Sequence, residues 1–255
     1  MSILECAGLS LAFGGVRAVA GVDLRVEAGE LIGLIGPNGA GKTTLLGLLA
    51  GVLRPDAGRV WYEARDVTRA PVHRRTQLGC VLTHQIVRPF RNMTLAENVM
   101  VAAGARLTVY PWRALLAVDS RFARERAHTL LESFGIADAA DKLAGTVPLG
   151  YLKRMQVARA LALDPRLLLL DEPLAGLNDL EAARFADQIV ALNSTGITVV
   201  MVEHNLREIT RIARRIAVLH AGAVLAAGPP HEVMARAEVR AAYLGDAPAG
   251  AIPHA

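Results

Sequence analysis

From Ser2 to about Glu30 apolar and polar positions alternate, with breaks at Gly14-Gly15 and Ala28-Gly29. Period-two alternation interrupted by glycine turns predicts strands joined by hairpins. The pattern then changes to an apolar run, Leu31-Ile32-Gly33-Leu34-Ile35, which predicts a buried strand. A glycine-rich turn follows, and residues 44–50 predict a helix. Ala57-Gly58-Arg59-Val60-Trp61-Tyr62 predicts another strand after a turn at Pro55-Asp56. From Val87 to about Ala162 the signal is helical. Thr94-Leu95-Ala96-Glu97 opens one helix with a capping-box pattern, 121–134 form a charged amphipathic helix, and 157–163 end another. Beyond these come a buried strand at 167–170, a helix at 180–192 and a β-branched strand at 197–202. A closing hairpin is expected from 216–219 and 223–226 around Ala221-Gly222. No internal repeat or coiled-coil heptad is present.

Strands alternating with helices predict an α/β fold with a mainly parallel sheet. A helical insert is expected between about 88 and 162. Residues 1–245 are expected to form one domain, and the Ala-, Pro- and Gly-rich tail at 246–255 to be loose. The 255 residues suffice for one large domain or two small ones. Hydrophobic content of 53% against 20% charged predicts a well-buried core, not disorder. With five Phe, four Tyr and two Trp, aliphatic side chains must fill that core.

The formal charge of +4 suits a polyanionic ligand or a cytoplasmic membrane surface, and is too small and dispersed to argue for nucleic acid. Cys6 and Cys80 make neither a disulfide framework nor a zinc site, so a reducing compartment is the default. The N-terminus lacks a basic region and a long apolar region. The most apolar stretch, 157–170, is broken by Arg159, Asp164, Pro165 and Arg166. A soluble chain is expected, reaching any membrane through a partner.

Between the first buried strand and its helix lies Gly36-Pro37-Asn38-Gly39-Ala40-Gly41-Lys42-Thr43, which fits G-x-x-x-x-G-K-[ST], the loop that wraps nucleotide phosphates. Its glycines let the backbone approach phosphate oxygens, and its N–H groups form an anion nest. Lys42 adds a positive charge near the β- and γ-phosphates. The Thr43 hydroxyl is a hard ligand suited to Mg²⁺. Thr44 begins a helix whose N-terminus would face the phosphates. A chance glycine-rich turn is the competing reading, and the flanking strand and helix weigh against it.

Asp171-Glu172 follows the apolar run 167–170, at the strand end where ligands sit in open α/β sheets. The first acid suits Mg²⁺ through water, and the second can orient or deprotonate an attacking water. Alone the pair is weak evidence, because helix N-termini also favour acids. His204, in Val202-Glu203-His204-Asn205, lies just past a strand and could reach a γ-phosphate; the alternative is a solvent-exposed helix start. His73, His84, His128, His220, His231 and His254 show no ligand spacing and are expected at the surface.

Taken at these separations, the glycine-rich loop, Leu167-Leu168-Leu169-Leu170-Asp171-Glu172 and His204 resemble the nucleotide-binding subunit of an ABC transporter, from about Leu4 to Gly245. The resemblance implies a P-loop NTPase fold: a RecA-like mainly parallel sheet, an antiparallel β subdomain and a helical subdomain. It implies that Phe13 stacks on adenine, an ordinary core Phe being the alternative. It makes Gln85 the glutamine that senses Mg²⁺ and γ-phosphate and joins the two subdomains. The chain departs at the family's Leu-Ser-Gly-Gly-Gln signature. Here stand Val147-Pro148-Leu149-Gly150-Tyr151, then Leu152-Lys153-Arg154 and Ala158-Arg159-Ala160-Leu161. Pro148 brings neither hydroxyl nor N–H, whereas Gly150 and the helix start still offer N–H groups to a second subunit's ATP. Ala175-Gly176-Leu177-Asn178 carries Asn where the family usually has Asp.

These departures, with Val-Glu-His-Asn and the late Ala-Tyr-Leu-Gly, resemble the branched-chain amino acid importer branch, and within it the larger ATP-binding subunit. That branch carries an extra helical-subdomain stretch, here about 107–121 with Tyr110-Pro111-Trp112. The resemblance implies ATP and Mg²⁺ as ligands, ATP hydrolysis, and a head-to-tail dimer with a like or paralogous ATPase. It implies two transmembrane permeases, an extracytoplasmic solute-binding protein acting indirectly, no nucleic acid, and a peripheral place on the cytoplasmic face of the inner membrane. Val87, Pro89 and Phe90 are candidate permease contacts, with burial in the hinge as the other account. Two other readings compete. A soluble ABC ATPase acting on ribosomes or DNA usually has two fused cassettes or long coiled coils, absent here. A weakly hydrolysing nucleotide-gated module is opposed by Glu172 and kept open by Pro148.

Overall fold

The computed structural model describes residues 1–105 and 120–244. Most of the 107–121 stretch and the 246–255 tail lie outside the described residues, so the expectations for them carry no structural account.

Strands β1 (Ser2–Phe13), β2 (Val16–Glu27), β4 (Ala57–Tyr62) and β5 (Arg65–Asp66) form an antiparallel sheet in the order β2-β1-β4-β5. β1 and β2 turn at Gly14-Gly15, and their alternating burial follows the alternation in the sequence. The second sheet has the order β10-β9-β3-β8-β7-β6. Its strands are β3 (Leu31–Ile35), β6 (Cys80–Thr83), β7 (Leu167–Asp171), β8 (Thr198–Val202), β9 (Arg215–His220) and β10 (Ala223–Gly228). All neighbours are parallel except β9 and β10, the closing hairpin. Every residue of β3, β7 and β8 is buried. A parallel sheet covered on both faces demands that, which is why these strands read as apolar runs.

Helix α1 (Lys42–Ala50) lies between the two sheets and buries Leu45, Leu46, Leu48 and Leu49 in a cluster with Leu9, Val22, Ile32, Leu34 and Val200. α2 (Val72–Gln77) leads into β6. On the other face of the parallel sheet, Leu168, Leu170, Val199 and Met201 share a core with α3 (Leu95–Ala105), α4 (Ser120–Ser133), α5 (Leu149–Leu161) and α6 (Asp179–Ser194). Phe134 and Phe185 meet there edge to face, with ring centroids 6.0 Å apart. α7 (Leu206–Ile212), α8 (Pro230–Ala235) and α9 (Ala237–Leu244) complete the chain as described.

The Thr94–Glu97 capping box is formed: Glu97 N–H donates to Thr94 Oγ1 at 3.1 Å and Thr94 N–H to Glu97 Oε2 at 2.7 Å. A second one opens α6, where Asn178 and Glu181 cap each other. The departure at Asn178 is thus met locally by an excellent N-cap residue. One expectation fails. The helical signal was read from Val87, yet 84–93 is irregular and the helix starts at Leu95. Pro89 disfavours helix at Arg88. The buried Asn98 amide then bonds the backbone of Phe90 in both directions, at 2.8 and 3.1 Å, fixing the loop against α3.

Candidate nucleotide site

β3 ends at Ile35 and α1 begins at Lys42, so the glycine-rich loop spans the carboxyl edge of the parallel sheet. Two of its glycines are required by close approach. A Cβ on Gly36 (φ 147°) would stand 2.1 Å from the Leu219 carbonyl oxygen, and one on Gly41 (φ 96°) 2.1 Å from that of Ala18. Gly41 is also the N-cap of α1, which starts the helix two residues before the expected Thr44. The buried Lys42 folds over the loop, its Nζ donating to the carbonyls of Gly36 at 2.7 Å and Pro37 at 2.8 Å. Burial lowers its pKa, and the nearby carboxylates of Glu172 and Asp171 oppose that.

β7 brings Asp171 to the same edge, one strand removed from β3. Thr43 Oγ1 donates to Asp171 Oδ1 at 3.2 Å. Burial holds Asp171 above the usual carboxylate range, against the Thr43 hydrogen bond. The next residue, Glu172, takes the left-handed φ of 47°, uncommon for a side chain of its size. It is buried, and both of its oxygens are engaged. Oε1 lies 2.8 Å from His204 Nε2, and Oε2 accepts from Gln85 Nε2 at 2.6 Å. Gln85 stands two residues beyond β6 and His204 two beyond β8. Strand ends β6, β7 and β8, adjacent in the sheet order, therefore bring three separate segments together around one carboxylate.

A cavity of about 220 Å³ opens at this point, lined by Ala18, Asn38, Gly39, Ala40, Gly41, Lys42, Thr43, Thr44, Glu172 and His204. A neighbouring recess is lined by Gly36, Pro37, Asn38, His204 and Tyr243. Phe13 ends β1 and is 51% exposed, so it is not an ordinary core side chain. Ala18, on the same hairpin, borders the cavity. Gly150 stands apart from that lining, near the start of α5 against Leu177 and Glu181. Pro148 serves as the N-cap of α5, its carbonyl accepting from Tyr151 N–H at 3.1 Å. Thr43 and Asp171 offer a hydroxyl and a carboxylate side by side. Such a small, hard oxygen set fits Mg²⁺, which keeps most of its shell for water and phosphate.

At this site sequence reasoning gave no role to two buried charged residues. Glu203 accepts the Leu174 N–H at 2.7 Å and the His204 N–H at 3.2 Å, tying the segment after β8 to the segment after β7. Burial pushes its carboxyl up to about 7, against the pull of backbone N–H groups from Leu174, Asn205 and His204. Lys153 on α5 donates from Nζ to the carbonyls of Gln85 at 2.9 Å and Glu172 at 3.0 Å. Its place in the Leu152-Lys153-Arg154 segment after the signature was a signal that sequence reasoning left without a role.

The loop, the acid at the end of β7 and the sheet order define a P-loop nucleotide hydrolase. The family model described as ABC transporter matches residues 19–175. The chain belongs to that family and is an ATPase subunit of the ABC type. It is 38% identical over 251 residues to the high-affinity branched-chain amino acid transport ATP-binding protein BraF of Pseudomonas aeruginosa, covering 96% of this chain and 98% of BraF. It is 34% identical over 246 residues to the lipopolysaccharide export system ATP-binding protein LptB of Haemophilus influenzae, with the same coverage, 96% and 98%. The crystal structure of the ADP conformation of MJ1267, an ATP-binding cassette of an ABC transporter, superposes with a TM-score of 0.85 at 28% identity, covering 96% of this chain and all of that one. Among the described residues no helix is long and apolar enough to cross a membrane.

Proposed function

We propose that this chain hydrolyses ATP with Mg²⁺ to energise an importer of branched-chain amino acids or related small polar solutes. The observation that carries the reading is Glu172, held through both oxygens by Gln85 and His204 beside the Lys42–Thr43 cradle. The likeness to BraF supports the solute class.

In this reading the amides of Gly36, Pro37, Asn38, Gly39, Ala40 and Gly41, with Lys42, Thr43 and Thr44, hold the phosphates. Thr43, Gln85 and Asp171 serve Mg²⁺, which withdraws charge from the β- and γ-phosphates when bound. Glu172 takes a proton from the attacking water as its oxygen bonds the γ-phosphorus. The bond from that phosphorus to the β–γ bridging oxygen breaks, and ADP leaves with its electron pair. His204 contacts the γ-phosphate, and Phe13 stacks on adenine. Gly150, outside the cavity on its own subunit, faces the ATP of a second ATPase subunit, like or paralogous, in a head-to-tail dimer. Residues 1–245 act as one domain whose helical part, about 88–162, meets two permeases at the cytoplasmic face of the membrane. Of the candidate contacts, Phe90 is exposed, as is the neighbouring Ile86, and both support that contact; Pro89 is half-buried and Val87 packs against the core.

The likeness to LptB supports a second reading in which the same ATPase drives export. Purified chain is assayed for ATP hydrolysis beside Glu172→Gln, then with its permeases in proteoliposomes supplied with leucine. Turnover lost in Glu172→Gln and ATP-dependent leucine uptake are the expected results. Retained turnover in that variant would sink the assignment of Glu172. Stimulated ATPase without uptake of any branched-chain amino acid would turn the reading to export.

A further inference from the structure

Helix α5 reaches back to the hydrolytic machinery through two side chains three residues apart, hence on one face. Lys153 Nζ donates to the carbonyls of Gln85 at 2.9 Å and Glu172 at 3.0 Å. Gln156 Nε2 donates to the carbonyl of His84 at 2.8 Å. Both side chains are buried, Lys153 at 4% and Gln156 at 7% exposure. An ammonium out of water is costly unless its donors are used and negative charge is near. Here two donors meet carbonyls; burial still lowers the Lys153 pKa, and the nearby carboxyl groups of Glu203, Glu172 and Asp171 oppose that in part. A lysine suits this place because a compact charge with freely directed donors can join two carbonyls from separate segments. The consecutive carbonyls of His84 and Gln85 are thus held by α5, and one of the same donors grips the backbone of Glu172.

We propose that Lys153 and Gln156 form a positioning clamp: they lock the backbone of Gln85 and Glu172 to α5, so that the two side chains meeting at 2.6 Å keep their alignment and move with the helix that carries Gly150. The inference rests on the reading of Glu172 as the group that activates water. It adds residues that touch neither nucleotide nor water but set the geometry of those that do. Backbone carbonyls are the handle, so the clamp itself uses neither the Gln85 amide nor the Glu172 carboxylate, which meet each other and His204. A displacement of α5 on meeting a second subunit would reach both at once.

The test is steady-state ATP hydrolysis by the full chain as Lys153→Met, Lys153→Arg, Gln156→Ala and Glu172→Gln, with the melting temperature of each. Lys153→Met is expected to lower kcat about tenfold or more while KM for ATP moves by less than about threefold, the signature of lost transition-state alignment. Lys153→Arg, which keeps charge and donors, is expected to recover most of that kcat. Gln156→Ala is expected to lower kcat by about threefold with KM unchanged. Combined with Gln85→Ala, Lys153→Met should add little further loss, because both act on one alignment. The clamp is overturned if kcat in Lys153→Met stays near the parent value, or if kcat, nucleotide affinity and melting temperature fall together and Lys153→Arg fails alike. Should Lys153→Met not fold, an unchanged kcat in Gln156→Ala overturns it equally. Turnover that persists in Glu172→Gln removes the parent reading; turnover lost there but intact in Lys153→Met removes the clamp alone.

Discussion

His204 Nε2 lies 2.8 Å from Glu172 Oε1, although the two residues follow different strands, β8 and β7, that are parallel neighbours in the sheet. With Gln85 on the other oxygen at 2.6 Å, the carboxylate is held from both sides. In the proposed mechanism such fixing is what makes Glu172 an effective base, since proton transfer depends on geometry before it depends on pKa. Gln85→Ala and His204→Ala are each expected to lower kcat by about a hundredfold, with a smaller effect on KM. The double variant should lose less than the product of the two, because they orient one group. Steady-state kinetics over a range of ATP concentrations checks this, and a fully multiplicative loss would show that the two act separately.

Glu203 gives the fold a pH dependence of definite sign. Burial raises its carboxyl from 4.5 to about 7. The folded state therefore holds a proton that the unfolded state has released between those values, and stability falls as pH rises through that window. A rise of that size is worth on the order of 3 kcal/mol above pH 7. Glu203→Gln keeps an oxygen to accept the Leu174 N–H and removes the charge. Its melting temperature relative to the parent is expected to improve steadily from pH 5 to pH 8. Parallel curves across that range would mean that Glu203 titrates as an ordinary surface acid.

The contrast between Glu203 and its neighbours shows where the sequence stops being legible. β3, β7 and β8 were readable because burial on both faces leaves unbroken apolar runs, and the glycine-rich loop because phosphate binding restricts its residue types. β6 was missed: four residues ending in Cys80 and Thr83 give too short an apolar run, although this strand aims Gln85 at Glu172. Gln85 itself was found through a family resemblance, since a lone glutamine has no pattern. Lys153 and Glu203 enter the sequence reading only as members of the Leu152-Lys153-Arg154 and Val202-Glu203-His204-Asn205 segments, with no role of their own. Their burial is decided by partners as much as 68 positions away, as for Lys153 and Gln85, which no local window contains. The stretch from Val87 to Met93 carries a helical sequence signal yet is irregular, because its stabilising contact, the Asn98 amide, is a tertiary feature.

Arg75 carries a structural prediction. It is 1% exposed, and its guanidinium donates to the carbonyls of Ala70, Leu48, Leu49, Val67 and Thr68 at 2.6–3.2 Å. Leu48 and Leu49 belong to the last turn of α1, where the Leu48 carbonyl also accepts the C-cap Gly51 N–H at 3.2 Å and the guanidinium supplies a second donor. Arg75 thus satisfies the end of the helix that begins at the phosphate loop. Arg75→Met keeps apolar volume but removes five charge-assisted hydrogen bonds, leaving Leu48 and Val67 only their backbone donors from Gly51 and Ala70, and is expected to cost about 3 kcal/mol. Urea unfolding of both proteins at one pH measures it. A loss below about 1 kcal/mol would show that water replaces the guanidinium.

The loop glycines differ sharply in what they tolerate. At Gly36 a Cβ would meet the Leu219 carbonyl at 2.1 Å, with φ at 147°, a region essentially closed to other residues. At Gly39 φ is 76° and nothing lies within 4 Å of the added carbon. Gly39→Ala therefore meets only the left-handed backbone cost of about 1–2 kcal/mol. Gly36→Ala must in addition push β9 or the loop aside. Because the loop amides are the proposed phosphate ligands, that displacement should appear in nucleotide binding before it appears in folding. Gly36→Ala is expected to weaken binding of a fluorescent ATP analogue by about a hundredfold or more, and Gly39→Ala by about tenfold, by the usual conversion of free energy to affinity. Equilibrium titration of the two variants gives the comparison. Equal losses would mean that the close approach to Leu219 is relieved without moving the amides, and would separate the loop's packing from its anion-binding role.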